Sequence, residues 1–394
     1  MGAAEPRTRH PTRHTPLLQV LAELVGRALL VLGVVHLMPQ IFVGDITRFF
    51  RVAQRVTPEH LPYRSVPWEF PPLTVPFLLL EKLSSGSRAM YLTLFAGTTV
   101  CLELASLELL RRHWPTHRRE LTTIWTVSVL PVAMLAWFRL DFLAVFFATL
   151  AVIGIERRRT AAWAIVAGVA AKLWPGLLLV VLAAQRRWRA LLGAAIGCAV
   201  FFVAWYAFSP AGFRRFLRYR AGAGLEVESV PASLRLLGHH GSFQVRSGAW
   251  VIDAGGFRWV DPAVGACLIV FTVAVGWWAY RRDQCDWAAL GGSLVLATML
   301  FSRLLSAQYL VWLGPFVALL WIRGRRAVGW LSVAAAWLTV AYLLLFDGHI
   351  IRGSKVVAAI VLARNAVLGL LLVVLLAAAR PRRSAAGQPT VKRK

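Results

Sequence analysis

Carboxylates are the residues of this chain with the clearest chemical use, because an ionised group in or beside lipid is costly to place and is usually kept for a task. Asp45 stands in Val43-Gly44-Asp45-Ile46-Thr47-Arg48-Phe49-Phe50, and Glu69 in Trp68-Glu69-Phe70-Pro71-Pro72-Leu73. Farther on come Asp141 in Arg139-Leu140-Asp141, Glu226 and Glu228 in Gly224-Leu225-Glu226-Val227-Glu228-Ser229, and Asp253, Asp261 and Asp347. Carboxylates of this kind can take a proton from a hydroxyl, accept hydrogen bonds from one, or pair with a cation. The cations beside them are Arg139, Lys172 in Lys172-Leu173-Trp174-Pro175, Arg303 and Arg352. Of four cysteines, Cys101, Cys198 and Cys267 lie in apolar runs and Cys285 lies in the basic stretch RRDQCD, with neither metal-site nor disulfide spacing. No metal and no other cofactor is expected.

Membrane helices have to position these groups. The 394 residues are 58% hydrophobic, with a mean hydropathy of +0.62, and contain repeated apolar runs of about 18–25 residues, the length that crosses a bilayer core. The expected fold is therefore an all-α polytopic membrane protein. The formal net charge of +26 comes from 44 Lys and Arg against 18 Asp and Glu. These basic residues fall in short clusters between apolar runs, at 7–13, 111–119, 156–159, 185–189, 281–286, 323–326 and 380–383. That is the pattern of cytoplasmic loops, so no nucleic-acid partner is expected. With these clusters inside, the outer segments are 39–88, the turn at 139–141, 209–261, 303–307 and 346–354. Every carboxylate named above then faces outward, and Asp283 and Asp286 face inward. Residues 1–16 and 380–394 read as basic cytoplasmic tails, the first disordered, flanking one transmembrane domain over 17–379 of a multi-pass cell-membrane protein.

Two segments break the simple pattern. Residues 160–184 have a basic cluster at each end, so one crossing would violate the charge rule. They are expected to enter and return as two short helices broken at Lys172-Leu173-Trp174-Pro175-Gly176, where Pro and Gly end a helix. Irregular backbone at membrane depth needs protein or a polar cavity around it, which makes Lys172 a site candidate, equally well read as a lysine snorkelling to the interface. Residues 71–83 are short and carry three prolines, so they are laid along the outer surface, with 88–110 as the crossing. About twelve membrane helices result.

Asp45 is placed at the end of the first helix, where polar capping is its simplest use. The stretch Ile46-Thr47-Arg48-Phe49-Phe50-Arg51-Val52 is amphipathic and is expected to lie in the interface with Phe49, Phe50 and Val52 toward lipid. The nearby Pro62-Tyr63 and Trp68-Glu69-Phe70-Pro71-Pro72-Leu73 form a stiff aromatic loop suited to holding a substrate.

At these motifs the chain resembles a known family. Gly44-Asp45, Pro62-Tyr63 and Glu69-Phe70-Pro71-Pro72-Leu73 look like the opening of the actinobacterial polyprenol-phosphate-mannose-dependent alpha-mannosyltransferases, glycosyltransferase family 87 of the GT-C superfamily. Arg139-Leu140-Asp141, Lys172-Leu173-Trp174-Pro175, Gly224 to Ser229, and Ser306-Ala307-Gln308-Tyr309-Leu310 with Trp312 and Pro315 follow in the family's order. Ala307 departs from the proline that relatives commonly have there. The resemblance implies a catalytic role for Asp45 in the first outer loop, as general base. It also implies a polyprenyl-phosphate sugar donor, most naturally mannose, and an envelope glycolipid or polysaccharide acceptor. Donor-phosphate binding falls to Arg139, Lys172 and Arg303, and substrate binding to Tyr63, Glu69, Asp141, Glu228, Ser229, Gln308, Tyr309 and His349. For several of these a plainer use competes: Asp141 pairing with Arg139, Glu228 and Ser229 solvated in their loop, Tyr309 and Trp312 as interface aromatics, His349 incidental. A transporter or flippase of lipid-linked sugars is the competing function, and it should concentrate polar groups in broken helices at the bilayer midplane.

Overall fold

The computed structural model describes residues 15–37, 44–157, 161–218, 224–238, 243–246, 249–252, 260–282, 284–345 and 355–380. Helix α1 (Thr15–Leu37) is followed by α2 (Gly44–Ala53), α3 (Val75–Leu83), α4 (Arg88–His113), α5 (Arg118–Ser128) and α6 (Leu130–Ala136). Then come α7 (Asp141–Glu156), α8 (Ala161–Ala171), α9 (Leu178–Ala184), α10 (Trp188–Phe208) and α11 (Pro210–Arg218). The segment after α11 holds β1 (Leu225–Glu226), α12 (Val230–Gly238), β2 (Phe243–Arg246) and β3 (Ala249–Ile252). Helices α13 (Val260–Tyr280), α14 (Trp287–Leu300), α15 (Gly314–Ile322), α16 (Arg326–Leu345) and α17 (Lys355–Ala378) complete the chain. Among the described residues, six helices are long and apolar enough to cross a membrane: 18–36, 88–113, 188–208, 262–280, 326–345 and 355–378. The apolar segments 161–171, 174–184, 287–300 and 307–322 are shorter. The chain is helical as expected, and the described residues add one small antiparallel sheet, in the order β1-β3-β2.

Charge sorts the bundle into two ends. Helix α7 has 16 residues, a length of about 24 Å, and separates Asp141 from Glu156. At the Glu156 end, Arg323 bridges Glu156 at 2.7 Å and Asp286 at 2.9 Å. The Trp287 indole donates to Glu156 at 3.1 Å, Arg326 pairs with Glu120 at 2.7 Å, and Arg157 donates to His113 at 3.2 Å. The described residues of the basic clusters at 111–119, 156–159, 185–189, 281–286 and 323–326 thus share one end. Asp45, Glu69, Arg139, Asp141 and Lys172 share the other.

The segment 161–184 doubles back as its flanking charges require. Helix α8 stops at Ala171, a 3-10 turn occupies Trp174–Leu177, and α9 begins at Leu178. Lys172 lies beside Asp141 at one end of α7, while Arg187 donates to the carbonyl of Ile155 near the other. The chain therefore travels up α8 and returns along α9. Gly168 allows the reversal, because a Cβ there would lie 2.8 Å from the Pro175 Cβ.

Two expectations about the first outer segment are corrected. Asp45 does not end α1, which stops at Leu37; it sits in the first turn of the separate helix α2. Phe49 and Phe50 do not face lipid. They are buried, Phe49 against Trp68, Phe70 and Phe95 and Phe50 against Tyr91, with Val52 partly buried against the same core. The 68–83 segment folds over α2 and supplies ring partners that a bare interface would lack, so the apolar face turns inward.

Helix α1 is tied to α4 by ion pairs that charge counting did not single out. Arg27 grips Glu103 with two bonds, of 2.6 and 2.8 Å, and the Trp125 indole adds a third to Glu103 at 2.8 Å. Arg111 grips Glu23 the same way, at 2.9 and 2.6 Å.

Candidate active site

Asp45 meets Arg139, not a bare cap. Asp45 Oδ2 lies 2.9 Å from Arg139 Nη1, and Oδ1 lies 3.8 Å from Arg48 Nε. Arg48 in turn pairs with Glu69. Burial pushes the Glu69 carboxyl above its usual range, against the pull of Arg48. Arg139 sits in the turn between α6 and α7, and its Nε is buried with no hydrogen-bond partner. A buried guanidinium N–H left unmade is costly, so this atom has a hydrogen bond to gain from an incoming oxyanion.

The expected Arg139–Asp141 pair does not form. Residues two apart at a helix start point in different directions, so Arg139 turns to Asp45 and Asp141 turns to the break after α8. There Asp141 Oδ1 accepts from Lys172 Nζ at 2.6 Å and from the Trp312 indole at 2.5 Å. Lys172 also lies 4.7 Å from the ring centres of both Tyr309 and Trp312, a cation–π arrangement. Trp312 is sandwiched between Trp174, at 5.4 Å, and Tyr309, at 4.2 Å. Lys172 is thus a held cation, paired with a buried carboxylate and set against two rings. Its neighbours Glu69, Phe70, Pro71, Trp174, Tyr309 and Trp312 line a cleft of about 470 Å³. Trp174 Nε1 is buried there without a hydrogen-bond partner.

The remaining candidates divide by position. Tyr63 braces the loop: its hydroxyl donates to Phe70 O at 2.6 Å, its carbonyl accepts from Ser209 Oγ at 2.8 Å, and its backbone takes a φ of 70°. Ser306 Oγ donates to Gln308 Oε1 at 2.7 Å. The Arg303 carbonyl accepts from Glu226 N at 2.9 Å, which ties the long loop to the late motif. Glu228 is buried on Arg364, and Ser229 Oγ accepts from Ala232 N at 3.4 Å at the start of α12, so neither is a solvated loop residue. His349 lies outside the described residues, as do Asp347 and Arg352. The sequence reading passed over Arg48, Arg364 and Asn365. An arginine inside the apolar run of α17 was the available signal, since such a charge is rare without a partner.

The family model for glycosyltransferase family 87 matches residues 68–307, more than half of the chain. The chain belongs to glycosyltransferase family 87. It is accordingly a membrane glycosyltransferase, and membership decides against a lipid-linked-sugar transporter. The match covers Glu69, Arg139, Asp141, Lys172, Glu228, Ser229 and Arg303; Asp45 and Tyr63 precede it, and Gln308 and Tyr309 follow it. The contact with Arg139 is what brings Asp45 against the matched segment. No curated protein and no solved structure gives a significant match.

Proposed function

We propose that this family 87 enzyme moves mannose from a polyprenyl-phosphate donor to a hydroxyl of an envelope glycolipid or polysaccharide, with Asp45 as general base. The reading rests first on the Asp45–Arg139 pair: a carboxylate with 19% of its side chain exposed, beside an arginine whose Nε lacks a partner. Asp45 takes the proton of the acceptor hydroxyl as that oxygen bonds to the anomeric carbon, and the bond from that carbon to the phosphate oxygen breaks with its electron pair leaving on the phosphate. A departing phosphate needs no protonation, unlike the sugar alcohol a glycosidase expels. It needs positive charge, for which Arg139, Lys172 and Arg303 are the candidates. The aromatic walls around Lys172 suit the lipid and sugar of the donor. One displacement inverts the anomeric centre, giving an alpha linkage from a beta-linked donor.

The basic clusters gathered at one end support a cytoplasmic placing of that end by the charge rule. The site then opens on the extracytoplasmic face, both termini are inside, and about twelve crossings follow with α8 and α9 counted separately. Asp45→Asn is expected to lower transfer of labelled mannose from purified polyprenyl-phosphate mannose by about 10²–10⁴-fold while the protein still inserts and purifies. Wild-type turnover in that variant would sink the assignment.

A further inference from the structure

The arginines at the basic end of the bundle are not all matched by carboxylates. Arg111, Arg112, Arg118, Arg323 and Arg326 each pair with one. By contrast, Arg186, Arg187, Arg189 and Arg282 line a cleft of about 730 Å³ between the α9–α10 turn and the α13–α14 connection, with no carboxylate among its described lining residues. Arg189 and Arg282 make no side-chain hydrogen bond or ion pair among the described residues; Arg282 lies over the Trp278 ring, 5.5 Å from its centre. Asp286, next to the cleft, is taken by Arg323 and by the amides of Ala288 and Ala289. Asp283 lies outside the described residues, and a single carboxylate cannot match four arginines. The turn itself is built against local preference. Arg187 N donates to Leu182 O and Arg186 N to Ala183 O, both at 2.9 Å, a helix ending that calls for a left-handed residue, usually glycine. Arg186 takes that place at a φ of 56°, where a Cβ is unfavourable. The α15–α16 turn makes the same pair of bonds with Gly324, at a φ of 77°. Backbone strain of this kind gathers at binding and switch sites. Gln185 Oε1, in the same cleft, is buried with no hydrogen-bond partner.

We propose that this cleft binds the headgroup of an anionic phospholipid from the leaflet at the basic end of the bundle, with the acyl chains lying along α10 and α13. The phosphate meets the guanidinium groups, Arg189 and Arg282 foremost, as charge-assisted hydrogen bonds favour. A hydroxyl of the headgroup donates to Gln185 Oε1. The path of the chains is written on both helices. Trp188, Leu192, Ile196 and Val200 are exposed at steps of four along α10, and Ile269, Val273 and Trp277 along α13, so each set shares a face. The two tracks converge on Tyr280, whose ring centre lies 6.2 Å from that of Trp188 and 6.0 Å from that of Trp277. Arg186 lies over the same ring at 5.1 Å and donates to the Tyr280 carbonyl at 3.4 Å, which sets the basic wall at the point of convergence. Two apolar tracks leaving one basic cleft fit a double-chained amphiphile, whereas a soluble phosphate would leave both tracks bare. Basic pockets between membrane helices take lipid headgroups by the same physics. The inference is independent of Asp45 and of the sugar transferred.

The test titrates the intact, delipidated protein in detergent with dioleoylphosphatidylglycerol and, separately, dioleoylphosphatidylcholine, reading bound lipid by native mass spectrometry with melting curves alongside. Phosphatidylglycerol is expected to bind about tenfold or more tighter than phosphatidylcholine and to raise the melting temperature; equal affinity for the two overturns the proposal. Arg189→Gln/Arg282→Gln, both exposed positions, should weaken phosphatidylglycerol by about tenfold or more and leave phosphatidylcholine unchanged. Arg119→Gln/Arg157→Gln, equally exposed at the same end but outside the cleft, should weaken it less than about threefold, since separated surface charges are screened. An equal loss in both pairs reduces the effect to general surface charge, and the proposal falls. Millimolar inorganic phosphate, against chloride at the same ionic strength, should not reproduce the melting shift; if it does, the cleft serves a soluble anion and the lipid site is wrong. If Arg189→Gln/Arg282→Gln does not purify, Gln185→Leu decides: it should weaken phosphatidylglycerol several-fold while phosphatidylcholine is unaffected, and an unchanged affinity overturns the assignment.

Discussion

Lys172 and Asp141 show how a residue's role is set by what it touches. Asp141 is 2% exposed and presents one oxygen to both the Lys172 ammonium and the Trp312 indole. The lysine ammonium also lies 4.7 Å from the ring centres of Tyr309 and Trp312, at the wall of the cleft. Hydrogen bonds to charged groups are worth about 1.5–3 kcal/mol, so Lys172→Met is expected to raise the donor KM by about tenfold or more. Titration of polyprenyl-phosphate mannose against initial rate checks this, and an unchanged KM would assign Lys172 to holding Asp141 alone. Asp45 and Glu69 were legible as residues worth watching, because a carboxylate next to an apolar run is costly. Their partners were not legible, since Arg139 and Arg48 had equally near carboxylates in sequence and direction decided among them.

At the scale of elements, the reversal between α8 and α9 carries Lys172 to Asp141. Pro175 and Gly176 announced the break, and the two flanking basic clusters required the return. The fit of the two arms was hidden, because it depends on Gly168 facing Pro175 at a separation that leaves no room for a Cβ. Gly168→Ala is expected to cost about 1–3 kcal/mol through overpacking, seen as a lower melting temperature in detergent, and to raise donor KM because the displaced turn carries Lys172. Helix α2 taught the converse. Its alternation of apolar and basic residues was correctly read as amphipathic, yet an amphipathic face does not say whether lipid or protein covers it. The rings of Trp68, Phe70, Tyr91 and Phe95 do.

For the whole molecule, two properties follow from charge buried or sorted by the bundle. Glu103 is fully buried and receives Arg27 and Trp125. Breaking such a pair from one side leaves an uncompensated charge, at a cost of about 3–5 kcal/mol. Glu103→Gln should therefore destabilise the detergent-solubilised protein strongly, whereas Arg27→Met combined with Glu103→Leu should melt much closer to wild type; scanning calorimetry or fluorescence melting separates the two. Sidedness is equally open to measurement. Arg51 and Arg119 are both exposed, one near Asp45 and one in the basic end. Single cysteines at these positions, in a background without the four native ones, should react with an impermeant thiol reagent from opposite faces of a sealed vesicle, Arg51→Cys from the outside.

The sequence alone determined that the chain is a helical membrane protein, where its basic clusters lie, that 160–184 must turn back, and which family its motifs resemble. These follow from hydropathy, charge and helix breakers, all of which act locally along the chain. The tertiary structure alone decided the pairings: Asp45 with Arg139, Asp141 with Lys172 and Trp312, Glu228 with Arg364. Each joins residues far apart in sequence or picks one partner among several of like charge. Such choices depend on direction and distance, which a one-dimensional pattern of charges does not contain.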